Sequence, residues 1–142
     1  MIINKSLKIN SNSNFQIIDI TNEISRILDE IKFNEPNSIS NGILTIFTKH
    51  STSAIVVNEN ERGLLSDFEF ILDELVADKN NYAHDRIDNN ASSHLKSFLL
   101  GSSETIPIVD GKIDLGTWQS IFFVELDGPR RNRTIDLVFI GE

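Results

Sequence analysis

Apolar and polar positions alternate near both ends of the chain and take a helical spacing in three segments between them. Residues Ile2 to Ile9 alternate as a half-buried strand does, and a polar turn over residues 10–14 leads to a second short strand, Phe15 to Ile18. Near the other end, Asp110-Gly111 is a strong hairpin signal. Predicted strands flank and follow it at Glu104 to Val109, Lys112 to Leu115, Gln119 to Leu126 and Arg133 to Ile140.

A first helix is predicted after the second strand. Thr21 is suited to the N-cap position, and Glu23 lies where the helix dipole favours an acid. The helix should end near Asn34, because Pro36 disfavours helical backbone in the residue before it. Its apolar residues recur at i, i+3, i+4 and i+7, which predicts one buried stripe: Ile24, Ile27, Leu28 and Ile31.

The middle of the chain predicts two more strands and two more helices. The strands are Gly42 to Thr48 and Ser53 to Val57, and a helix over Leu64 to Val76 gathers its apolar residues on one side. Residues 77–90 contain few large apolar side chains, and a loop of that length in a small domain is usually functional or disordered. Asn89 or Asn90 is expected to cap a third helix that Gly101 ends. The pattern therefore predicts one α+β domain over residues 1–142.

The charge and the composition of the chain limit the kinds of molecule that it is expected to bind. The net charge of −8 repels phosphate backbones and anionic lipid, so we expect no nucleic-acid and no membrane partner. No stretch approaches the roughly 20 apolar residues that span a bilayer, and the N-terminus has no apolar run of the signal-peptide kind. The chain has no cysteine, which excludes disulfides and thiolate metal sites and suits a reducing cytoplasm.

Three histidines are the first candidates for chemistry. His50, His84 and His94 lie in polar contexts at the boundaries of predicted elements, and imidazole is both a metal ligand and the usual acid–base group near neutral pH. Their spacing does not bring them together by itself, and each alone also fits a hydrogen-bonded surface histidine.

Other polar groups leave two interpretations open. Asn58 and Glu59 follow a strand that looks buried, and they fit either a polar ligand or a capping turn. Asp67 fits the solvated face of its helix or a place beside a site. Arg130 and its neighbours Arg131 and Arg133 fit either an anion or acidic residues of a neighbouring subunit.

Several stretches together resemble the YjbQ family, also described as secondary thiamine-phosphate synthase-like proteins. The resemblance runs from about Leu44 to Glu142, while the first 40 residues agree only in pattern. It rests on Asp67, Tyr82 to His84, the terminal FIGE and the stretches KHSTSAIVVNEN (49–60), NASSHLKSFLLGSS (90–103) and IPIVDGKIDLGTWQSIFFVELDGPRRNR (106–133).

The resemblance implies a fold, an assembly and a set of site residues. The expected fold has mostly antiparallel packed sheets with two or three helices, in a homotrimer with sites near subunit boundaries. The implied function is a metal-assisted enzyme that acts on small phosphorylated metabolites and joins a pyrimidine diphosphate to a thiazole phosphate with release of pyrophosphate. The alternative is a non-catalytic metal- or metabolite-binding homotrimer. Carried over by position, the ligands of a zinc or magnesium ion are His50, His84 and His94. The catalytic residues are Glu59, Asp67 and Glu125. The substrate-binding residues are Asn58, Asn90, Gln119 and Arg130.

Overall fold

Strands form at each segment where the period-two pattern predicts them, and their ends agree to within two residues. The computed structural model describes residues 1–142. The strands are β1 (Ile2–Ile9), β2 (Gln16–Asp19), β3 (Gly42–Thr48), β4 (Ser53–Asn58), β5 (Ser103–Val109), β6 (Lys112–Ile113), β7 (Ser120–Glu125) and β8 (Arg133–Gly141). The helices are α1 (Thr21–Asn34), α2 (Arg62–Leu75) and α3 (Ala91–Leu100), with a short 3₁₀ helix at Ala83–Arg86.

The strands form two antiparallel sheets. The larger sheet has the order β1-β8-β3-β5-β6, and the smaller has the order β2-β7-β4. The inward residues of both sheets and the stripe of α1 share one core, in which Ile24, Leu44, Ile55 and Phe123 are fully buried. This confirms the predicted α+β class and the predicted buried stripe of the first helix.

Helix α1 begins differently from the prediction. Thr21 lies inside the helix, Ile20 occupies the N-cap position, and no side chain caps the helix there. The Thr21 hydroxyl instead accepts a hydrogen bond from the backbone N–H of Ile121 at 2.8 Å, and Asp19 Oδ1 accepts the Thr21 N–H at 2.9 Å. The predicted N-cap role of Thr21 is therefore wrong, because β7 takes the hydroxyl.

Helix α2 has the predicted apolar stripe, but only Leu72 of that stripe is buried within the chain. The side chains of Phe70, Ile71 and Leu75 remain largely exposed. The amphipathic pattern therefore located the helix without indicating how much of its apolar side the chain itself covers.

The long segment before α3 is held by its own side chains. The Tyr82 hydroxyl donates to the Ala77 carbonyl at 2.8 Å, and Lys79 Nζ donates to the Asn89 carbonyl at 3.0 Å. Asn90 occupies the predicted N-cap position, but its side chain makes no cap hydrogen bond, and Asp85 accepts the first N–H of α3 at 3.0 Å instead. No helix of the chain has the length and apolar character that a membrane crossing requires.

Candidate functional site

Strand pairing assembles the site at one end of the smaller sheet. The register places Ser53, the first residue of β4, opposite Glu125, the last residue of β7. The turn that carries His50 therefore lies beside the loop that follows β7. Helix α3 is fixed to the same edge, since Ser93 Oγ donates to the Leu126 carbonyl and Ser97 Oγ donates to the Ser53 carbonyl, both at 2.6 Å.

Two of the three histidines contact each other. The ring centroids of His84 and His94 lie 4.7 Å apart, with the ring planes at 79°. Asn90 Nδ2 donates to Asp127 Oδ2 at 3.0 Å, so the Asn90 oxygen faces His84 Nε2 at 3.1 Å and must accept from it. These hydrogen bonds assign the proton of neutral His84 to Nε2, which leaves the Nδ1 lone pair available to a ligand.

Asp127 connects this histidine pair to Arg130. The carboxylate of Asp127 accepts from Arg130 Nη2 at 3.0 Å, and its backbone carbonyl accepts from Arg130 Nε at 3.0 Å. The Arg130 side chain is about half exposed. It is therefore oriented by the protein and still accessible to an anionic ligand.

A buried ion pair supports the loop beneath these groups. Glu125 accepts from Arg133 Nε at 2.9 Å and Nη2 at 2.6 Å, from Ser11 Oγ at 2.7 Å, and from the backbone N–H groups of Leu126 and Asp127. Burial alone would raise the pKa of Glu125, but the hydrogen bonds from Arg133 and Ser11 bring it below its usual value. Glu125 has no exposed surface. The structure therefore favours a positioning role for this carboxylate over the catalytic role that the resemblance implied.

His50 borders the site with a different set of hydrogen bonds. Its Nε2 accepts the backbone N–H of Thr134 at 3.0 Å, so neutral His50 carries its proton on Nδ1. Burial and then the charge of Arg133 lower the pKa of His50. His50 therefore presents an N–H donor, and this geometry does not fit the metal-ligand role that the resemblance implied, because neither nitrogen has a free lone pair.

An open cavity lies between the His50 turn and α3. Its volume is about 320 Å³. Ser51, the residue after His50, lines it from the turn. His94 and Phe98 line it from α3, and Phe98 is 85% exposed. The cavity is large enough for part of a small metabolite, and it offers hydroxyl groups, an imidazole and an aromatic face.

The remaining predicted residues lie elsewhere in the chain. Asn58 is the last residue of β4 and pairs in register with Ser120. It lies five residues from Ser53, so the two ends of β4 are roughly 17 Å apart at the usual rise of a strand. Glu59 follows Asn58, and Gln119 precedes Ser120; the Gln119 side chain accepts from the Gly116 N–H at 2.8 Å.

Asp67 is exposed on α2. The chain therefore brings together His84, His94, Asn90 and Arg130, with His50 and Glu125 at their border, and it leaves Asn58, Glu59, Asp67 and Gln119 outside this group. No group of three or more His, Asp or Glu side chains is arranged to hold a metal ion.

The sequence analysis did not single out Asp127, and it assigned Arg133 to an anion or a neighbouring subunit, whereas Arg133 pairs with Glu125 inside the chain. Arg133 begins a strand whose inward positions are Ile135, Leu137 and Phe139, so alternation places its guanidinium inside the protein. A buried arginine requires an acid, and Glu125, at the end of an apolar strand, is the corresponding acid.

The fold and the site define a small α+β protein with a polar site built from histidine, asparagine and arginine. The chain belongs to the YjbQ family, whose model, described as UPF0047 protein YjbQ-like, matches residues 5–142. The match thus reaches well into the first 40 residues, where the motifs are weakest.

Relatives and solved structures agree with this assignment. A UPF0047 protein of Methanothermobacter thermautotrophicus is 49% identical over 93% of this chain and 88% of its own length. The UPF0047 protein YugU of Bacillus subtilis is 33% identical over 96% of this chain and 98% of its own length. A crystal structure of a YbjQ-like protein of unknown function from Sulfolobus solfataricus is 38% identical, covers 100% of this chain and 99% of its own, and superposes with a TM-score of 0.93.

Proposed function

We propose that the chain is a metal-assisted enzyme that acts on small phosphorylated metabolites. Its reaction would resemble that of thiamine-phosphate synthase, in which a pyrimidine diphosphate is joined to a thiazole phosphate and pyrophosphate leaves. The observation that carries the proposal is the contact of His84 with His94 beside an arginine, Arg130, that Asp127 holds in an exposed position. Imidazole nitrogens and a guanidinium at one edge suit a ligand that combines a metal ion with a phosphate.

The donor set favours zinc over magnesium. His84 Nδ1 and a nitrogen of His94 can serve as two ligands of a zinc ion, whereas magnesium prefers oxygen ligands. Further ligands would come from the substrate or from a neighbouring subunit. When bound, the ion would stabilise negative charge that develops on the leaving diphosphate.

The other site residues act on the phosphate side of the proposed ligand. Arg130 neutralises the diphosphate, and Asp127 keeps its guanidinium in place. His50 Nδ1–H donates a hydrogen bond to a phosphate oxygen, because its Nε2 is occupied by Thr134. The cavity beside His94 receives the organic part of the metabolite.

The proposed enzyme is a homotrimer in the cytoplasm. The large apolar side chains of Phe70, Leu75, Phe98 and Trp118 are exposed. Self-association that covers them would remove their apolar area from water. A neighbouring subunit is also the route by which Asn58, Glu59, Asp67 and Gln119 would reach the histidines. Sedimentation equilibrium tests this part: a monomer at micromolar concentration contradicts it.

Three histidine variants test the metal and anion roles separately. We expect His84→Ala and His94→Ala to lose zinc, measured by elemental analysis of purified protein, because each removes one of two nitrogen ligands. His50→Ala is the matched control, and it should retain zinc but bind inorganic pyrophosphate more weakly. Zinc content that is unchanged in both His84→Ala and His94→Ala contradicts the proposed metal site.

The alternative function is a non-catalytic homotrimer that binds a metal or a metabolite. It is favoured by the commitment of Glu125 to structural hydrogen bonds. Within one chain, the group around the histidines then has no carboxylate other than Asp127, which already pairs with Arg130. Steady-state turnover of the pyrimidine diphosphate and the thiazole phosphate decides between the two. Background turnover together with tight pyrophosphate binding would support the non-catalytic function.

A further inference from the structure

A second cavity, mostly apolar, lies beneath α2 at the end of the smaller sheet opposite the histidines. Its volume is about 150 Å³. Ile17, Val56 and Phe122 line it from the sheet, and Leu65 and Phe68 line it from the helix. An apolar cavity of this size accommodates a molecule of about one aromatic ring.

The rim of this cavity carries an acid without a partner. Glu59 lines the cavity and is half-buried. Its backbone N–H donates to Asn58 Oδ1 at 2.8 Å, but its carboxylate takes part in none of the ion pairs and accepts no hydrogen bond within the chain. A carboxylate beside an apolar cavity is complementary to a cation that has an apolar body.

We propose that this cavity binds a small organic cation, consisting of one ring with an ammonium or amidinium group. The ring would lie between Val56 and Phe68, and the cationic group would pair with Glu59. The net charge of −8 also raises the local concentration of cations over that of anions. Within one chain the site shares no residue with the histidine network. Its test measures neither zinc nor turnover, so its failure is distinguishable from a failure of the proposed function.

Three probes of equal ring size test the proposal. Benzylamine, benzyl alcohol and benzoate are titrated into the full chain and followed by saturation-transfer NMR, and a crystal is soaked with each. We expect benzylamine to bind most tightly and benzoate least, with electron density for benzylamine between the sheet and α2. A half-exposed ion pair contributes about a three- to fivefold gain in affinity.

Matched variants separate the charge from the cavity. Glu59→Gln should weaken benzylamine binding to the level of benzyl alcohol and leave benzyl alcohol unchanged. The control Glu74→Gln removes an exposed acid of α2 that lies outside the cavity, and it should change the binding of neither probe. Val56→Phe should fill the cavity and abolish binding of all three probes, and far-UV circular dichroism checks its fold.

Several results would overturn the proposal. Equal affinity for the three probes, or equal effects of Glu59→Gln and Glu74→Gln, would remove the cation preference even if Val56→Phe failed to fold. Density for the probes at another place, or a side chain of a second copy occupying the cavity, would remove the site itself.

Discussion

Arg133→Met should be among the most destabilising substitutions in this protein. Methionine fills a similar volume but removes the only cation that contacts Glu125, and both partners lie inside the protein, with Glu125 0% exposed and Arg133 6% exposed. Removal of one partner of a buried ion pair typically costs about 3–5 kcal/mol, because an uncompensated charge stays behind. That is a large part of the roughly 5–15 kcal/mol by which domains are usually stable.

The double variant Glu125→Gln/Arg133→Met isolates the cause. It loses the same hydrogen bonds from Arg133 but leaves no buried charge, so we expect it to be more stable than Arg133→Met alone. The free energy of unfolding is measured by urea titration with far-UV circular dichroism, at one fixed protein concentration so that association cannot shift the comparison.

The pH dependence gives a second test of the same reasoning. In the wild type the pKa of Glu125 is lowered, so its contribution is present above the ordinary glutamate pKa near 4.3 and is lost as the pH falls below it. In Arg133→Met, burial without a cation raises the pKa of Glu125, so the loss of stability should be larger at pH 8 than at pH 5.5. A double variant no more stable than the single variant, or an equal loss at both pH values, would refute this account.

Two further predictions concern the same end of the sheet. The pKa of His50 is lowered from 6.5, so its contribution to stability is complete above that pH and decreases as the pH falls toward the folded-state pKa. His50→Gln should therefore reduce the fall in melting temperature between pH 7 and pH 5. An unchanged fall in melting temperature would contradict the assignment. Gly128→Ala should destabilise the protein by about 1–3 kcal/mol, since the new Cβ would meet the Ser13 carbonyl, Ser11 Oγ and Glu125 Cγ. A melting temperature equal to that of the wild type would show that the loop yields without cost.

Periodicity predicted most of the fold, because each strand and helix follows its own spacing of apolar residues. The same local information could not predict the pairing of β4 with β7, which decides that His50 meets the Glu125 end of the sheet and Asn58 meets the other end. The motif residues that the resemblance assigns to one site therefore lie at two opposite ends of the smaller sheet.

Side-chain competition explains the other differences. Asn90 is suited to capping α3, but His84 and Asp127 take its amide, and Asp85 accepts the N–H of Ala91 instead. Capping propensity predicts where a helix begins more reliably than it predicts which side chain makes the bond, since nearby polar groups compete for each partner.

The hydrogen bond of Ser11 to Glu125 spans 114 positions of the chain, and β1 pairs only with β8. On the ribosome, the first strand must therefore remain without its partner until β8 has emerged. The loop that carries Arg130 should therefore reach its final structure late. Protection of its backbone amides from hydrogen exchange would report that β1 and β8 have paired.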